Sequence, residues 1–417
     1  MNFFKKYFKG DPNIWAIIVG LSVFSLLAVY SSTGTLAYRW TGGNTAFYII
    51  RHSGFLAVGL TVAFVLHMVP YKYYARISQL LMIIVIPLLV FTLFFGVDEN
   101  DATRRISIFG LTFQTSDLAK MALIMYLAQR LASRQDEIRD FKKTLLPMFV
   151  IIGLVCVLIL PANFSTSAML FLVCVILLFV GRASVRQLSG LCAITIVLGV
   201  VLVAGLYGLQ KAGINNNITQ RGTTIVNRID RFWGNNTEND ESLGKNFQAT
   251  QAKIAIGTGG FFWGKGPGNS VQRNFLPHPY SDFIFAIIIE EYGVLGGIVV
   301  LFLYLNLLYR TILIVRKCDK TFPAFLVTGL SLSVVFQALV NMAVAVGLMP
   351  VTGQPLPLIS MGGTSILFTG AAFGIVLSVS REVRRQDELQ ARKTAEKKTP
   401  ETESKPEQEA EYVPQTA

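Results

Sequence analysis

Residues 76–96 read RISQLLMIIVIPLLVFTLFFG, and all but a few of these side chains are apolar. A helix of roughly 20 mainly apolar residues crosses the hydrocarbon core of a bilayer. Seven more runs of this kind occur along the chain, at 14–32, 52–70, 144–161, 164–181, 187–208, 321–348 and 362–380. A longer apolar run covers residues 282–316. This pattern predicts an all-α polytopic membrane protein.

The composition of the 417 residues excludes several other classes of protein. With 52% hydrophobic and 15% charged residues, the chain is too apolar for a disordered protein, a coiled coil or an ordinary soluble domain. Three His and four Cys, with no C-x-x-C spacing, argue against a zinc site and a disulfide framework. The net charge of +12 would suit a nucleic-acid-binding protein. In so apolar a chain, it indicates basic loops on the cytoplasmic side of a membrane.

One weaker run, 114–131, contains charges and would fail a hydropathy cutoff. The distribution of basic residues decides whether it crosses. Lysines before the first run place the N-terminus inside the cell. If 114–131 crosses, the basic loops 132–143, 182–187 and 316–320 all lie inside, and without it all three lie outside. We therefore predict ten helices with both termini in the cytoplasm.

This topology divides the chain into a cytoplasmic N-terminus at 1–13, a membrane domain at 14–380 and a tail at 381–417. The tail has few apolar residues, which predicts disorder. A large outside loop, 209–281, joins the seventh and eighth helices, and a connection this long is usually functional. Its glycine cluster at 257–268 is not a nucleotide fingerprint, because no strand precedes it and it faces outside. Tight turns that lie on the membrane surface explain the glycine cluster equally well.

Polar side chains at membrane depth are candidates for function because they are costly there. Asp117 and Lys120 are three residues apart on one helix and close enough to pair. The alternative is an internal ion pair that only neutralises itself, with a helix cap beside it. Gln337 and Asn341 share one helix face, where hydrogen bonds between helices would explain them. Asn163 follows a proline between two runs, where a turn residue is the simpler interpretation.

Asp282 is the most informative acid. A helix from there to Arg316 would reach roughly 52 Å, well beyond a core of about 30 Å. Counting back from the inner end places the outer membrane surface near residues 290–296, so Asp282 lies about two turns above it. On the simpler interpretation, Ser281 or Asp282 only caps the N-terminus of this helix. The functional interpretation is an acid or base at the mouth of an outward-facing cavity.

The two outside loops also contain arginines that would surround this carboxylate if the loops fold over it. They are Arg104, Arg105, Arg228, Arg231 and Arg273. Arginine binds phosphate in a bidentate manner, and a carboxylate can take a proton from an attacking hydroxyl. A lipid-linked pyrophosphate would meet both requirements. These residues alone do not identify the substrate.

Four segments resemble, in order, the SEDS family of membrane peptidoglycan glycosyltransferases, to which FtsW, RodA and SpoVE belong. Residues 102–106, ATRRI, resemble A-R-R-W, and residues 114–120, QTSDLAK, resemble Q-P-S-E-L-A-K. Residues 275–286, FLPHPYSDFIFA, resemble F-L-P-E-x-x-T-D-F-I-F-A. Residues 347–363, GLMPVTGQPLPLISMGG, resemble G-L-L-P-V-T-G-I-P-L-P-L-x-S-Y-G-G. One departure matters: residues 161–166, PANFST, stand where P-D-L-G-T is usual, so no charge-dependent role is carried onto Asn163.

The resemblance implies polymerisation of lipid II into glycan strands, together with a class B penicillin-binding protein and other membrane proteins of the division machinery. Asp282 would activate the acceptor hydroxyl or hold a divalent cation, Mg or Mn. Lys120, Arg104 and Arg105 match basic positions that face the pyrophosphate. The remaining candidates for substrate binding are Arg228, Arg273, Asp117, Gln114 and Ser360. Chain length and the single large loop favour a role in septal synthesis.

Three alternatives remain open. A lipid II flippase should have charged or unwound sites near the midplane, often in repeated halves, but no clear repeat is visible and the charges gather at the outer mouth. A scaffold that recruits a transpeptidase would leave Asp282 and the arginines idle. An elongation-specific polymerase would share the same chemistry and differ in its partner and its place in the cell.

Overall fold

The computed structural model describes residues 8–95, 97–99, 102–108, 111–213, 226, 240–276 and 279–398. The α-helices in these residues are α1 (Pro12–Ser32), α2 (Gly34–Thr41), α3 (Thr45–Met68), α4 (Lys72–Phe95), α5 (Thr115–Ser133), α6 (Leu146–Ile159), α7 (Phe164–Val180), α8 (Val185–Lys211), α9 (Asp240–Thr258), α10 (Ile284–Arg316), α11 (Thr321–Ala345) and α12 (Gly363–Lys398). A π-helical turn, Phe141–Leu145, leads into α6, and a 3-10 turn covers Gln272–Asn274.

Within the described ranges, eight helices are long and apolar enough to cross a membrane. They are α1, α3, α4, α6 with its π-helical turn, α8, α10, α11 and α12. Helix α7 is apolar but has only 17 residues, and α5 contains the charged pair Asp117 and Lys120. The predicted helical membrane fold is confirmed, and the count of ten crossings stays a prediction.

Helix α5 lies inside the bundle, in contact with α4 and α11. Residues 122–128 are all buried, so every face of this part of the helix touches protein. A helix enclosed by other helices can contain charged side chains, because they contact polar protein groups and not lipid. This explains why the segment fails a hydropathy cutoff and still belongs to the bundle.

A small antiparallel sheet, which the sequence pattern does not predict, occupies the predicted outside loop 97–113. Its strands are β1 (Val97–Glu99), β2 (Ala102–Ile108) and β3 (Leu111–Gln114), in the order β1-β2-β3. Arg104 and Arg105 both lie on β2, and Arg105 is opposite Gln114 in the ladder. Because β3 ends where α5 begins, the sheet connects these arginines to the helix of Lys120.

Helix α10 is interrupted at Gly293, where φ is 72° and ψ is 178°. This left-handed backbone favours glycine because it has no Cβ. In a regular helix, the amides of Val294 and Leu295 would donate to the carbonyls of Glu290 and Glu291. The break at Gly293 separates each of these amides from its carbonyl. The two amides and the two carbonyls therefore need other hydrogen-bond partners.

The glycine-rich segment 259–268 supplies those partners. The bonds are Lys265 N to Glu290 O at 2.9 Å, Gly266 N to Glu291 O at 3.0 Å, Val294 N to Gly260 O at 3.1 Å and Leu295 N to Phe261 O at 3.2 Å. The approach is so close that a Cβ on Gly264 would lie 2.2 Å from the backbone of Glu291. The glycine cluster is therefore an insert that completes a broken helix.

Helix α12 packs along α3 and continues unbroken to Lys398. Residues 381–398, predicted as the start of a disordered tail, are thus helical. Arg384 Nη1 donates to Gly10 O at 3.2 Å, and Lys317 forms an ion pair with Asp387 at 2.6 Å. Composition alone missed these anchors, since they join distant parts of the chain. The rest of the predicted tail, from residue 399, lies outside the described residues.

Candidate active site

Asp282 lies in a turn just before α10 and is partly exposed. The residue that precedes the first turn of α10 is Phe283, with no side-chain capping bond, so the interpretation of Ser281 or Asp282 as a helix cap is wrong. Ser281 Oγ donates to Asp282 Oδ1 at 2.9 Å. The carboxylate is therefore held in a turn with access to solvent.

The loop between α11 and α12 holds this turn in place. Met361 N donates to Tyr280 O at 2.9 Å, and Ser360 Oγ donates to Ser281 O at 2.6 Å. The same Ser360 hydroxyl accepts from Leu356 N at 2.7 Å. Ser360 is a candidate for substrate binding, but its side chain is buried and its hydroxyl both donates and accepts a hydrogen bond within the protein. In this structure Ser360 therefore supports the Asp282 turn.

Two amides on α11 connect the same loop to the charged residues. Asn341 Nδ2 donates to Asp282 O at 2.8 Å and to Gln354 O at 2.7 Å. One turn earlier, Gln337 Nε2 donates to Pro355 O at 3.0 Å, and Gln337 Oε1 accepts from Lys120 Nζ at 2.9 Å. The predicted hydrogen bonding of these amides is confirmed, and it places them between Asp282 and Lys120.

Lys120 Nζ lies 2.8 Å from Asp117 Oδ1, which confirms the predicted pair. Both side chains are buried, so each ion depends on the other for its stabilisation, and Lys120 also donates to Gln337. The pair lines a cavity of about 40 Å³ between α5, α11 and α12. That volume has room for a few water molecules and not for a sugar. Ser365 and Thr369 of α12 add hydroxyls to its wall.

The structure describes only some of the remaining candidates for substrate binding. Gln114 ends β3, and its Nε2 donates to Ser116 Oγ at 2.9 Å. Arg273 Nη1 donates to Ser31 O at 3.0 Å, which ties the large loop to α1. The side chains of Arg104 and Arg105 lie outside the description although their backbone is on β2, and Arg228 lies outside the described residues altogether. The grouping of arginines around Asp282 therefore stays a prediction.

Asn163 caps α7, as its interpretation as a turn residue expects. Its Oδ1 accepts from Thr166 N at 3.2 Å, and Thr166 Oγ1 accepts from Gln354 Nε2 at 2.5 Å. The cap thus joins the loop that supports Asp282. An amide oxygen performs this capping role as well as a carboxylate oxygen does.

Two acids that the sequence analysis left without a role, Glu290 and Glu291, are buried beside the break in α10. Glu290 accepts from Lys265 Nζ at 2.7 Å, Ser270 Oγ at 2.5 Å and Val271 N at 3.0 Å. Glu291 accepts from Ser31 Oγ and from the amides of Gly268 and Ser270. A pair of acids inside an apolar helix was the available signal, since such groups require partners when buried.

No group of three His, Cys, Asp or Glu side chains that could hold a metal ion occurs in the described ranges. Asp282 supplies a single carboxylate to the turn before α10. This donor set does not form a closed metal site built by the protein alone. It fits an ion such as Mg²⁺, which proteins often hold with one or two carboxylates while substrate phosphates complete the coordination.

Comparison with known proteins gives consistent similarities. The sequence model of the FtsW, RodA and SpoVE family, described as "Cell cycle protein", matches residues 12–385. The chain is 32% identical over 377 residues to the probable peptidoglycan glycosyltransferase FtsW of Coxiella burnetii, covering 88% of this chain and 96% of that protein. It is 30% identical over 384 residues to the stage V sporulation protein E of Bacillus subtilis, covering 90% and 99%. A solved chain from a study of polymerization and crosslinking by a peptidoglycan synthase complex is 25% identical, with a TM-score of 0.67 over 90% of this chain and 98% of that chain.

Proposed function

Because the chain belongs to the SEDS family of peptidoglycan glycosyltransferases, which includes FtsW, RodA and SpoVE, we propose that it polymerises lipid II into glycan strands. The reaction takes place at the outer face of the cytoplasmic membrane, in septal synthesis during division. The observation that carries the proposal is a partly exposed carboxylate, Asp282, whose turn is held by hydrogen bonds from α11 and the loop before α12. The relatives named FtsW and SpoVE favour division over elongation.

Asp282 is the proposed general base. Its carboxylate takes the proton of the acceptor sugar hydroxyl while that oxygen forms a bond to the anomeric carbon of the donor. The bond from that carbon to the pyrophosphate breaks, and its electron pair leaves with the lipid pyrophosphate. A positioned base of this kind contributes about 10² to 10⁴-fold to the rate.

The basic residues of α5 and β2 are proposed to neutralise the pyrophosphate. Lys120 lines the cavity and is held by Asp117 and Gln337, and Arg104 and Arg105 lie on the sheet that leads into α5. Arg228, Arg273 and Gln114 belong to the same proposal.

As an alternative role we propose a divalent cation, Mg²⁺ or Mn²⁺, at this site, and Asp282 is the residue that would hold it. When bound, it would neutralise part of the pyrophosphate charge. In that case Asp282 would hold the cation instead of taking the proton of the acceptor hydroxyl itself.

A class B penicillin-binding protein is the proposed partner, with other membrane proteins of the division machinery. The similarity to a chain of a peptidoglycan synthase complex supports a partner of this type.

The proposed topology places both termini in the cytoplasm and Asp282 outside, because the basic loops then lie inside. A cysteine at Ser133 should be shielded from an impermeant thiol reagent added to intact cells.

The deciding experiment mixes the purified chain and its transpeptidase partner with labelled lipid II and measures glycan strands. The wild-type chain should form polymer, and Asp282→Asn should form essentially none while remaining folded. Transport of lipid II across vesicle membranes without polymer formation would replace the proposal with the flippase alternative. Polymer formation only with an elongation-type partner would replace the septal assignment.

A further inference from the structure

The tip of the glycine-rich segment carries three neighbouring aromatic residues that contact little protein. Phe261, Phe262 and Trp263 are 61%, 64% and 90% exposed. Trp263 has the largest exposed fraction of these, although tryptophan is a residue that proteins usually bury. We infer that these three side chains, here called the aromatic tip, insert into the outer interfacial layer of the bilayer and anchor the large loop there.

The aromatic tip has a fixed position because its backbone completes the break in α10. The carbonyls of Gly260 and Phe261 accept from Val294 N and Leu295 N at 3.1 and 3.2 Å. On the other side, Lys265 N donates to Glu290 O at 2.9 Å. The tip therefore lies at the level of Gly293 along α10, and its exposure is not that of an untethered loop end.

The length of α10 places that level at the membrane boundary. From Gly293 to Arg316 the helix has about 24 residues, which reach about 36 Å against a hydrocarbon core of about 30 Å. With the basic end of α10 inside, Gly293 falls at the outer interface. Tryptophan is enriched at this depth, where its ring contacts acyl chains and its N–H contacts polar headgroups.

The surface next to the tip indicates lipid as the occupant. Below the break, α10 exposes Leu295, Ile298 and Phe302, which are 48%, 47% and 62% exposed. In a helix that crosses the membrane, such an apolar face contacts acyl chains, and the aromatic tip continues it outward. The nearest charge in the segment, Lys265, is directed to buried Glu290 at 2.7 Å and does not oppose insertion.

This anchor would set the depth of the proposed active site. Arg273 and the Asp282 turn follow the tip along the chain, and the loop is tied back to α1 through Ser31. Insertion of the tip would fix the height of this segment relative to the outer membrane surface. The inference rests on the proposed topology only for the choice of leaflet.

Tryptophan fluorescence tests the insertion directly in the full-length chain. Trp15, Trp40 and Trp233 are changed to Phe, so that Trp263 is the sole emitter, and the protein is reconstituted in vesicles with lipids brominated along the acyl chains. A matched control changes Trp263 to Phe in that variant and adds Leu389→Trp, since Leu389 lies on the charged end of α12 beyond the apolar span.

Trp263 should emit at shorter wavelength than the Leu389→Trp control and lose intensity with brominated lipids, while aqueous iodide quenches the control more strongly. Quenching of Trp263 by iodide and not by brominated lipids would overturn the inference. Protection that arises only after the transpeptidase partner is added would also overturn it, in favour of a protein contact. Glycan polymerisation is not the readout, so failure here leaves the proposed function untouched.

Discussion

Three carboxylates at the start of α10 differ sharply in their surroundings. Glu290 and Glu291 are buried, and donors from the glycine-rich segment surround them. Asp282 is partly exposed, and the network around it acts mainly on the backbone of its turn. A buried acid with several donors stabilises the fold, whereas an acid that performs proton transfer has to reach substrate. The comparison separates two structural acids from one candidate catalytic acid.

The largest expected effect is that of Asp282→Asn. The amide cannot take up the proton, so polymerisation should fall by about 10² to 10⁴-fold. Because the backbone contacts of the turn are kept, the thermal unfolding temperature in detergent should stay close to that of the wild type. Polymer assays on lipid II and thermal unfolding of the same preparation check both statements. Near-normal turnover by the folded variant would remove Asp282 from the catalytic role.

Glu290→Ala should have the opposite profile. The buried hydroxyl of Ser270 would lose its acceptor, and so would the partly buried Lys265 Nζ and Val271 amide. A buried donor that loses its acceptor costs about 1–3 kcal/mol of stability. Thermal unfolding should show this loss, and Glu290→Gln, which keeps an acceptor oxygen, should lose less. Full stability combined with lost turnover would assign Glu290 to the chemistry instead.

Asn341→Ala tests whether the backbone support of the Asp282 turn matters for turnover. The variant leaves the carbonyls of Asp282 and Gln354 without this donor, a loss of about 1–3 kcal/mol. A displaced base should lower kcat more than it raises KM for lipid II. Ser331→Ala, at another buried polar position of α11, is the matched control and should change neither constant. Equal effects of the two variants would reduce Asn341 to a packing role.

The smallest effect is expected at the other end of α10. Lys317 and Asp387 form an ion pair at 2.6 Å, but their side chains are 58% and 45% exposed. Exposed pairs of this kind contribute up to about 1 kcal/mol and weaken in salt. Lys317→Ala should therefore change the unfolding temperature far less than Glu290→Ala. If Lys317→Ala lowers the unfolding temperature as much as Glu290→Ala does, the exposure of an ion pair does not predict its contribution to stability in this protein.

Local sequence patterns determined much of the architecture. The apolar runs predict the membrane helices because a bilayer core of fixed thickness requires about 20 apolar residues. The pair of Asp117 and Lys120 was predictable because residues three apart on a helix are neighbours whatever surrounds them. The outer position expected for residues 290–296 stays a prediction, and the structure adds that α10 is broken within this range, at Gly293.

The tertiary structure decided the contacts between distant parts of the chain. Asn341 meets Asp282 across 59 residues, and Ser360 meets Ser281 across 79, so no local period reveals either contact. The same reason hid the glycine-rich segment that completes α10, the burial that admits the charges of α5 and the anchors that keep residues 381–398 helical. Sequence alone indicated which segments are apolar enough to span a membrane and which acid to suspect. Packing specified which acids are enclosed and which one faces outward, because the availability of a carboxylate depends on its neighbours in space.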